Sequence, residues 1–412
     1  MTTPAPIVAL VGGAELPEVR RAVARRGLSA VALADAEALG RVPEDPAVLD
    51  RVAVDWTRPA RVVQALLDLH RRLGLAGIVG ATEHGLLPAA FAAERLGLPT
   101  PPTAAVRRTR DKLAMRRRLA DAGFDRPRFA LCRGPEHVEG FLASVGGPIV
   151  VKPSAGTGSE AVRRVDSARD AAGAFAAAAA ALGGGGVLCE EYVEGPEVSV
   201  EGVVAGGRFT AVAVTDKRTG AGFVETGHRQ PTAHAAAEVE RAVATTAAAL
   251  AALGVDRAVT HTELRLGGGA PTLIETHTRM GGDQIHRLTE RTAGVDLADV
   301  AVALALGEEP NVAPSSTGVG AAVRFLVAGP GRLAAIEPPA DGLFVGVEAT
   351  HLAVEAGRPV AGCRSSADRL GWALAVAADA DAAERAAAGW LGAVRLSWAA
   401  DGAREEPWRA AS

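Results

Sequence analysis

The sequence predicts an α/β protein that opens with a doubly wound parallel sheet and closes with an α+β segment. Three observations lead there. Between Ile7 and Gly97, short apolar runs alternate with helical patterns, the signature of strands joined by crossover helices. In Val259–Gly282, two alternating runs flank a Gly-rich break and read as a β-hairpin. From about Gly318 the pattern changes to strands followed by one helix. A chain of 412 residues suffices for roughly two to four domains with a large core.

In order, Ile7–Val11 is a short buried strand ending in Gly12-Gly13, followed by the helical pattern Glu15–Arg26. Ser29–Leu33 and Val52–Asp55 are strands, and Pro59–Leu73 is an amphipathic helix. Gly77–Gly80 is a strand, and Leu86–Leu96 a helix closed by Gly97. The first glycine pair lacks the G-x-G-x-x-G spacing of a dinucleotide site, so it reads as a tight turn entering a helix. Pro99-Thr100-Pro101-Pro102 then punctuates the chain. A helix opens at Thr109-Arg110-Asp111-Lys112, with Thr109 or Asp111 as N-cap. Lys112 falls in its first turn, where the helix dipole disfavours a cation. A cation placed against that preference suggests a nearby anion.

Pro148–Pro153 is a strand, and Ser154–Glu160 is a Gly-rich turn containing Gly156, Thr157 and Gly158. Lys152 precedes the glycines, so this is not a P-loop. Such a turn can still close over phosphates with its backbone N–H groups while Lys152 reaches a phosphate oxygen. The plain alternative is a hairpin turn to a strand at Ala161–Val165. Asp170–Leu182 is an Ala-rich helix, and Val187–Cys189 a buried strand that leads into Glu190–Glu197. Glu190 to Val193 can form the bend an adenine needs, with Glu197 as a ribose ligand; otherwise this is an acidic, solvated turn. The strand Val198–Val204 follows. Gly222–Pro231 reads as a polar loop, in which His228 is either a surface residue or neutralises a substrate carboxylate. Glu238–Leu253 and Ala298–Leu306 are helical. Ala321–Val327, Leu343–Glu348 and Leu370–Ala377 read as strands, Ala380–Leu391 as a helix and Val394–Ser397 as a last strand.

The hairpin at Val259–Gly282 has an inverted pattern. One face of the first run carries His261, Glu263 and Arg265, and one face of the second carries Glu275, His277 and Arg279. Pairing Leu266 with Thr272 sets Glu263 opposite Glu275. Opposed side chains sit ~5 Å apart, where like charges are destabilising. Two carboxylates there call for a cation, and hard oxygens flanked by Arg and His suit Mg²⁺ held together with substrate phosphates. The plain alternative is a solvated outer face.

A net charge of -4 gives no global pull toward nucleic acid or membrane. Cys132, Cys189 and Cys363 have no metal-type spacing, and a reduced, cytoplasmic compartment is expected. No apolar run is free of charge and glycine for long enough to cross a bilayer, and the N-terminus lacks the basic region of a signal peptide.

Lys112, Lys152 with its Gly loop, the Glu190–Glu197 turn and the paired Glu263 and Glu275 occur in an order and spacing that resembles the ATP-grasp carboxylate–amine ligases, over nearly the whole chain. GHRQP at Gly227–Pro231, ETHTRMGGDQI at Glu275–Ile285 and the segment Arg369–Ala373 look like the L-amino acid ligase group of bacilysin-type and dapdiamide-type dipeptide-forming enzymes. The resemblance implies an ATP-grasp fold: a Rossmann-like domain over 1–103, a lid subdomain over 104–190, a large subdomain with the metal site over 191–317, and an α+β extension over 318–412. It implies ATP and Mg²⁺ (or Mn²⁺) as cofactors, with Lys112, Lys152 and the loop Gly156–Gly158 on the phosphates. Glu190 and Val193 fall at the adenine edge and Glu197 on the ribose. Glu263 and Glu275 fall on the metal. Arg279 would face the acyl phosphate, and His228 the substrate.

The family usually has Asn where His277 stands. His277 is therefore placed in the metal group by position, although imidazole suits Mg²⁺ less well than an amide oxygen. The implied activity joins an acid, such as an amino acid, to an amino acid amine through an acyl phosphate, releasing ADP and phosphate. His228, His277 and Asp283 are candidates for deprotonating the amine. The substrates are small molecules, and a homodimer is expected because dimers are common in that family. A carboxylase or formyl-transfer enzyme of biotin or purine type, or a non-catalytic nucleotide-binding protein, are the alternatives.

Overall fold

The computed structural model describes residues 5–156, 158–181, 186–267, 269–310, 312–340, 342–353, 357 and 359–399. Thr157 lies outside the described residues. The N-terminal unit runs β1 (Ile7–Val11), α1 (Pro17–Arg25), β2 (Ser29–Ala34), α2 (Ala36–Gly40), β3 (Val48–Ala53), α3 (Pro59–Leu73), β4 (Gly77–Gly80) and α4 (Glu83–Leu96). The strands are parallel in the order β3-β2-β1-β4. Alternate residues of β1 and β2 feed two cores. Ala9, Val11, Val31 and Leu33 pack with Val62 and Leu66 of α3, while Val8, Leu10, Ala30 and Ala32 face α1 and the helix Leu297–Ala305. Burial on both faces is why these strands read as unbroken apolar runs. β3 begins at Val48 rather than at the expected Val52. It is an edge strand with exposed Asp50 and Arg51, and so lacks the apolar run.

The helix expected at Thr109 divides in two. α5 (Thr103–Arg110) ends at Asp111, whose carboxylate accepts from Ala114 N–H and caps α6 (Lys112–Asp121). Asp111 is thus the N-cap, while the Thr109 hydroxyl donates to the Val106 carbonyl. Ala105, Met115 and Leu119 pack with Leu250, Leu253 and Leu273, so α5 and α6 share the core of the large sheet, not of the lid. The helices that follow the lid boundary expected at residue 104 thus pack in that core. The lid sheet comprises β5 (Phe129–Cys132), β6 (Ile149–Pro153), β7 (Arg163–Val165) and β8 (Val187–Glu191), ordered β5-β8-β6-β7. Its helices α7 (Pro135–Val145) and α8 (Ala168–Ala181) cover one face with Val138, Ala171, Ala174 and Ala178.

The large sheet has eight antiparallel-paired strands: β9 (Glu197–Ala205), β10 (Arg208–Thr219), β11 (Glu225–Gln230), β12 (Ala258–Arg265), β13 (Thr272–His277), β14 (Gly320–Leu326), β16 (Val347–Leu352) and β18 (Gly371–Ala377). Their order is β13-β12-β9-β10-β11-β14-β18-β16. Because β14 pairs with β11, the boundary expected at residue 318 cuts a continuous sheet. β15 (Gly331–Glu337), β17 (Pro359–Val360) and β19 (Arg395–Trp398) form a small separate sheet; β15 was not expected. The strand expected at Leu343–Glu348 starts at Val347 instead. Around these strands lie α9 (Ala236–Leu253), α10 (Ile285–Ala293), α11 (Leu297–Ala305) and α12 (Ala380–Gly392). The segment expected as a polar loop is β11, a central strand. His228 and Gln230 are buried there, so polarity was no guide to exposure.

Candidate active site

The β12–β13 hairpin pairs His261 with His277, Thr262 with Thr276 and Glu263 with Glu275. The Leu266–Thr272 pairing does not occur: Arg265 pairs with Thr272 and Leu264 with Leu273. The two carboxylates still face each other because Ile274 is bulged out of the ladder, which restores the register lost at the turn. Across neighbouring strands, Arg265, Glu197, Lys217 and His228 stand in one cross-strand row. Opposite charges in such a row attract. On the other face, Val198, Val200, Val214 and Leu264 bury against Ala242 of α9. Period-two alternation thus sends the charged set into the cleft and the apolar set into the core.

The like-charge problem is met first by the protein itself. Lys217, its side chain 1% exposed, makes a close ion pair with Glu263 and lies 3.2 Å from Glu197 and 3.4 Å from Glu225. Burial opposes its charge, but the three carboxylates hold its pKa well above the ordinary lysine value. Burial likewise opposes ionisation of Glu263, and Lys217 outweighs it, keeping Glu263 ionised far below the usual carboxylate range. Lys112 Nζ lies 3.1 Å from Glu275 Oε2, so the anion its helix position suggested is this carboxylate. His261 bridges Glu201 at 2.9 Å and Glu263 at 3.1 Å. Burial lowers its pKa, but the two carboxylates push it up to about 9.

Lys152 ends β6 and lies 2.7 Å from Glu190 Oε2. Arg116 holds Glu190 from the other side, 2.7 Å to Oε1 and 3.2 Å to Oε2. The Glu190 side chain, 3% exposed, fixes Lys152, which leaves the backbone of the Glu190–Val193 bend for the adenine edge expected there. Burial works against its charge, and the two cations bring its pKa down to about 2. The same Arg116 donates to the carbonyls of Leu273 and the bulged Ile274, tying lid, helix and hairpin together.

Gly156 has φ 124° and Gly158 φ 69°, which side-chain-bearing residues rarely adopt, so the loop needs its glycines. The Gly156 carbonyl accepts from Lys112 Nζ at 2.9 Å. Glu197 is held by Arg265 at 2.8 Å as well as by Lys217. Arg279 donates to Glu83 Oε2 at 3.0 Å. His228, 2% exposed, packs edge-on against Phe325 at 5.6 Å, and neither ring nitrogen has a hydrogen-bond partner. Asp283 takes two hydrogen bonds from Arg369, at 2.9 and 2.6 Å.

All the described candidates line one cavity of about 290 Å³ between the lid sheet and the large sheet: Lys112, Lys152, Gly156, Gly158, Glu190, Val193, Glu197, His228, Glu263, Glu275, His277 and Arg279. Sequence reasoning missed Lys217, Glu83, Arg116 and Glu201, and singled out Arg369 only as part of the Arg369–Ala373 segment. Lys217 sits between Asp216 and Arg218 and looks like part of a solvated charge run. A signal existed in the period of β10, which puts Lys217 on the face opposite core residue Val214.

Among the described residues, no group of three or more His, Cys, Asp or Glu is arranged to hold a metal ion. The donor set is two facing carboxylates. That fits Mg²⁺, which takes one or two carboxylates plus phosphates and water, and does not fit a metal needing a closed protein cage. His277, placed in the metal group by position, lies between two carboxylates. Its Nε2 lies 3.2 Å from Glu275, and its Nδ1 lies 3.2 Å from Glu83 without hydrogen-bond geometry. Burial and Arg279 oppose its protonation, but Glu275 and Glu83 outweigh them and raise its pKa. Through these contacts the imidazole orients Glu275.

Comparison with known proteins agrees with this architecture. Residues 145–287 match the ATP-grasp domain family, residues 22–100 the ATP-grasp N-terminal domain, and residues 324–399 the L-amino acid ligase C-terminal domain 2. An uncharacterized protein, y4rH, of Sinorhizobium fredii is 30% identical over 357 residues, covering 82% of this chain and 73% of that protein. Alanine–anticapsin ligase of Bacillus subtilis is 26% identical over 270 residues, covering 60% of this chain; the match spans 57% of that ligase. The crystal structure of L-amino acid ligase from Bacillus licheniformis superposes with a TM-score of 0.80 at 21% identity, over 97% of this chain and 100% of that one. The chain belongs to the ATP-grasp family and carries the C-terminal domain of its L-amino acid ligases.

Proposed function

We propose that the chain is an ATP-dependent carboxylate–amine ligase, joining an amino acid or related acid to an amino acid amine through an acyl phosphate, with release of ADP and phosphate. The observation that carries this reading is the facing pair Glu263 and Glu275, set in a cleft with Lys112 and Lys152 on one side and Arg279 on another. A free carboxylate resists attack because its charge repels nucleophiles, and phosphorylation removes that obstacle. Positioning and electrostatics do most of the work in such a transfer.

In this reading Lys112 and Lys152 neutralise phosphate oxygens, aided by backbone N–H groups of the loop around Gly156 and Gly158. Val193 offers its backbone to the adenine, and Glu197 turns toward the ribose. Mg²⁺ held by Glu263 and Glu275 would supply further charge neutralisation at the phosphates. Lys217 and His261 hold Glu263 ionised and in place, and His277 does the same for Glu275. Arg279, steadied by Glu83, faces the acyl phosphate. A pocket that excludes water while the amine is held favours ligation, since attack by water is the competing path. The test is product analysis over acid and amine pairs. ADP, phosphate and an amide product are expected; AMP and pyrophosphate would refute the acyl-phosphate route.

A further inference from the structure

At one end of the cavity stands a group that the phosphate chemistry does not use. Asp283 lines the cavity four residues beyond Arg279, so the two are at most ~14 Å apart along the chain. Asp283 and Gln284 are both non-glycine residues with positive φ, 51° and 67°. Two such residues in succession store strain, which persists where surrounding contacts fix it. Here the contact is Arg369 from the C-terminal domain. It donates to both oxygens of Asp283, donates through Nε to the Ser366 carbonyl at 2.9 Å, and lies over the Phe325 ring at 3.8 Å. Arg369 is thereby committed to orienting Asp283.

The remaining hydrogen-bonding capacity of Asp283 is of one kind. A carboxylate has about four acceptor sites, and Arg369 takes two of those on Asp283. His228 Nε2 is 3.8 Å from Asp283, too long for a hydrogen bond, and both its nitrogens are buried without partners. A buried polar atom without a partner is costly, and a ligand that supplies one removes the cost. A carboxylate with lone pairs to spare, beside an imidazole that can offer one acceptor nitrogen, fits a donor carrying several N–H bonds and a positive charge.

We infer that Asp283, oriented by Arg369 and faced by His228, is a specificity-determining residue that receives a substrate ammonium group. The inference rests on the ligase reading. The ammonium belongs either to the acid substrate, whose carboxylate then lies toward Arg279, or to the incoming amine before it loses its proton.

The test uses the full chain with ATP and Mg²⁺ and two nucleophiles. Hydroxylamine is largely uncharged at neutral pH and traps an acyl phosphate as a hydroxamate; the standard amino acids are the charged counterpart. The acids are L-alanine with propionate and L-leucine with 4-methylpentanoate. If the acid's ammonium is bound, Asp283→Asn lowers hydroxamate formation from the amino acids at least tenfold more than from their des-amino partners. If the amine's ammonium is bound, the variant keeps hydroxamate formation and loses amide formation with amino acids at least tenfold. Asp283→Glu restores part of either selectivity, which a merely misfolded variant would not show. A variant that matches wild type with every pair, or falls equally with all of them, overturns the ammonium site and leaves the ligase reading intact. A wild-type protein that releases no ADP with any pair overturns the ligase reading, and this inference with it.

Discussion

Replacing Arg116 with leucine tests the contact that joins the lid to the β12–β13 hairpin. The side chain is 3% exposed and makes four hydrogen bonds, two to Glu190 and one each to the Leu273 and Ile274 carbonyls. Breaking a buried ion pair from one side costs about 3–5 kcal/mol, because the other charge stays buried. Each orphaned carbonyl adds about 1–3 kcal/mol at most, and Lys152 still pairs with Glu190, so the contributions do not sum. We expect a net loss of about 3–5 kcal/mol, which at roughly 2–4 °C per kcal/mol lowers the melting temperature by roughly 6–20 °C. Arg126 is the control. It pairs with the neighbouring Glu191 but is 56% exposed, so Arg126→Ala should cost about 0–1 kcal/mol. Differential scanning fluorimetry on both variants, with ADP release at a temperature where each is folded, decides the matter. If Arg116→Leu melts together with Arg126→Ala, Arg116 does not hold lid and hairpin together.

Other expectations follow from the same contacts. Glu275→Gln keeps the shape of the side chain and removes its charge; we expect ADP release to fall at least about a hundredfold while the fold persists, and near wild-type turnover would remove Glu275 from the metal site. Lys152→Ala should raise the ATP concentration needed for half-maximal rate at least about tenfold, the loss of a charge-assisted contact. Gly281→Ala places a Cβ 2.9 Å from His261 Nδ1 and 3.0 Å from Glu201, so the variant should lose about 1–3 kcal/mol by chemical denaturation. Glu190 has a folded pKa depressed from 4.5 to about 2, so the unfolded chain binds more protons between those values. Its contribution to stability is complete above about pH 4.5 and is lost as the pH falls toward 2. Glu190→Gln should flatten that part of the stability–pH curve.

Alternation and turn chemistry made the parallel sheet and the hairpin legible in the sequence, since period and Gly placement are local properties, while the roles expected of the lysines and glutamates came from the family resemblance. Local signals failed where burial is decided by distant strands. β11 reads as a loop because His228 and Gln230 are polar, yet β10 and β14 flank it and bury it. The facing glutamates were expected from strand period and an assumed Leu266–Thr272 pairing, but the actual pairing differs and it is the Ile274 bulge that keeps them opposed. What answers their repulsion could not be read either: Lys217 lies 46 residues from Glu263, and Lys112 belongs to a helix of another part of the chain. The sequence thus determined which residue types alternate and where the chain turns. Only the tertiary structure decided which charges meet, because each buried carboxylate is stabilised by a cation brought in through chain folding.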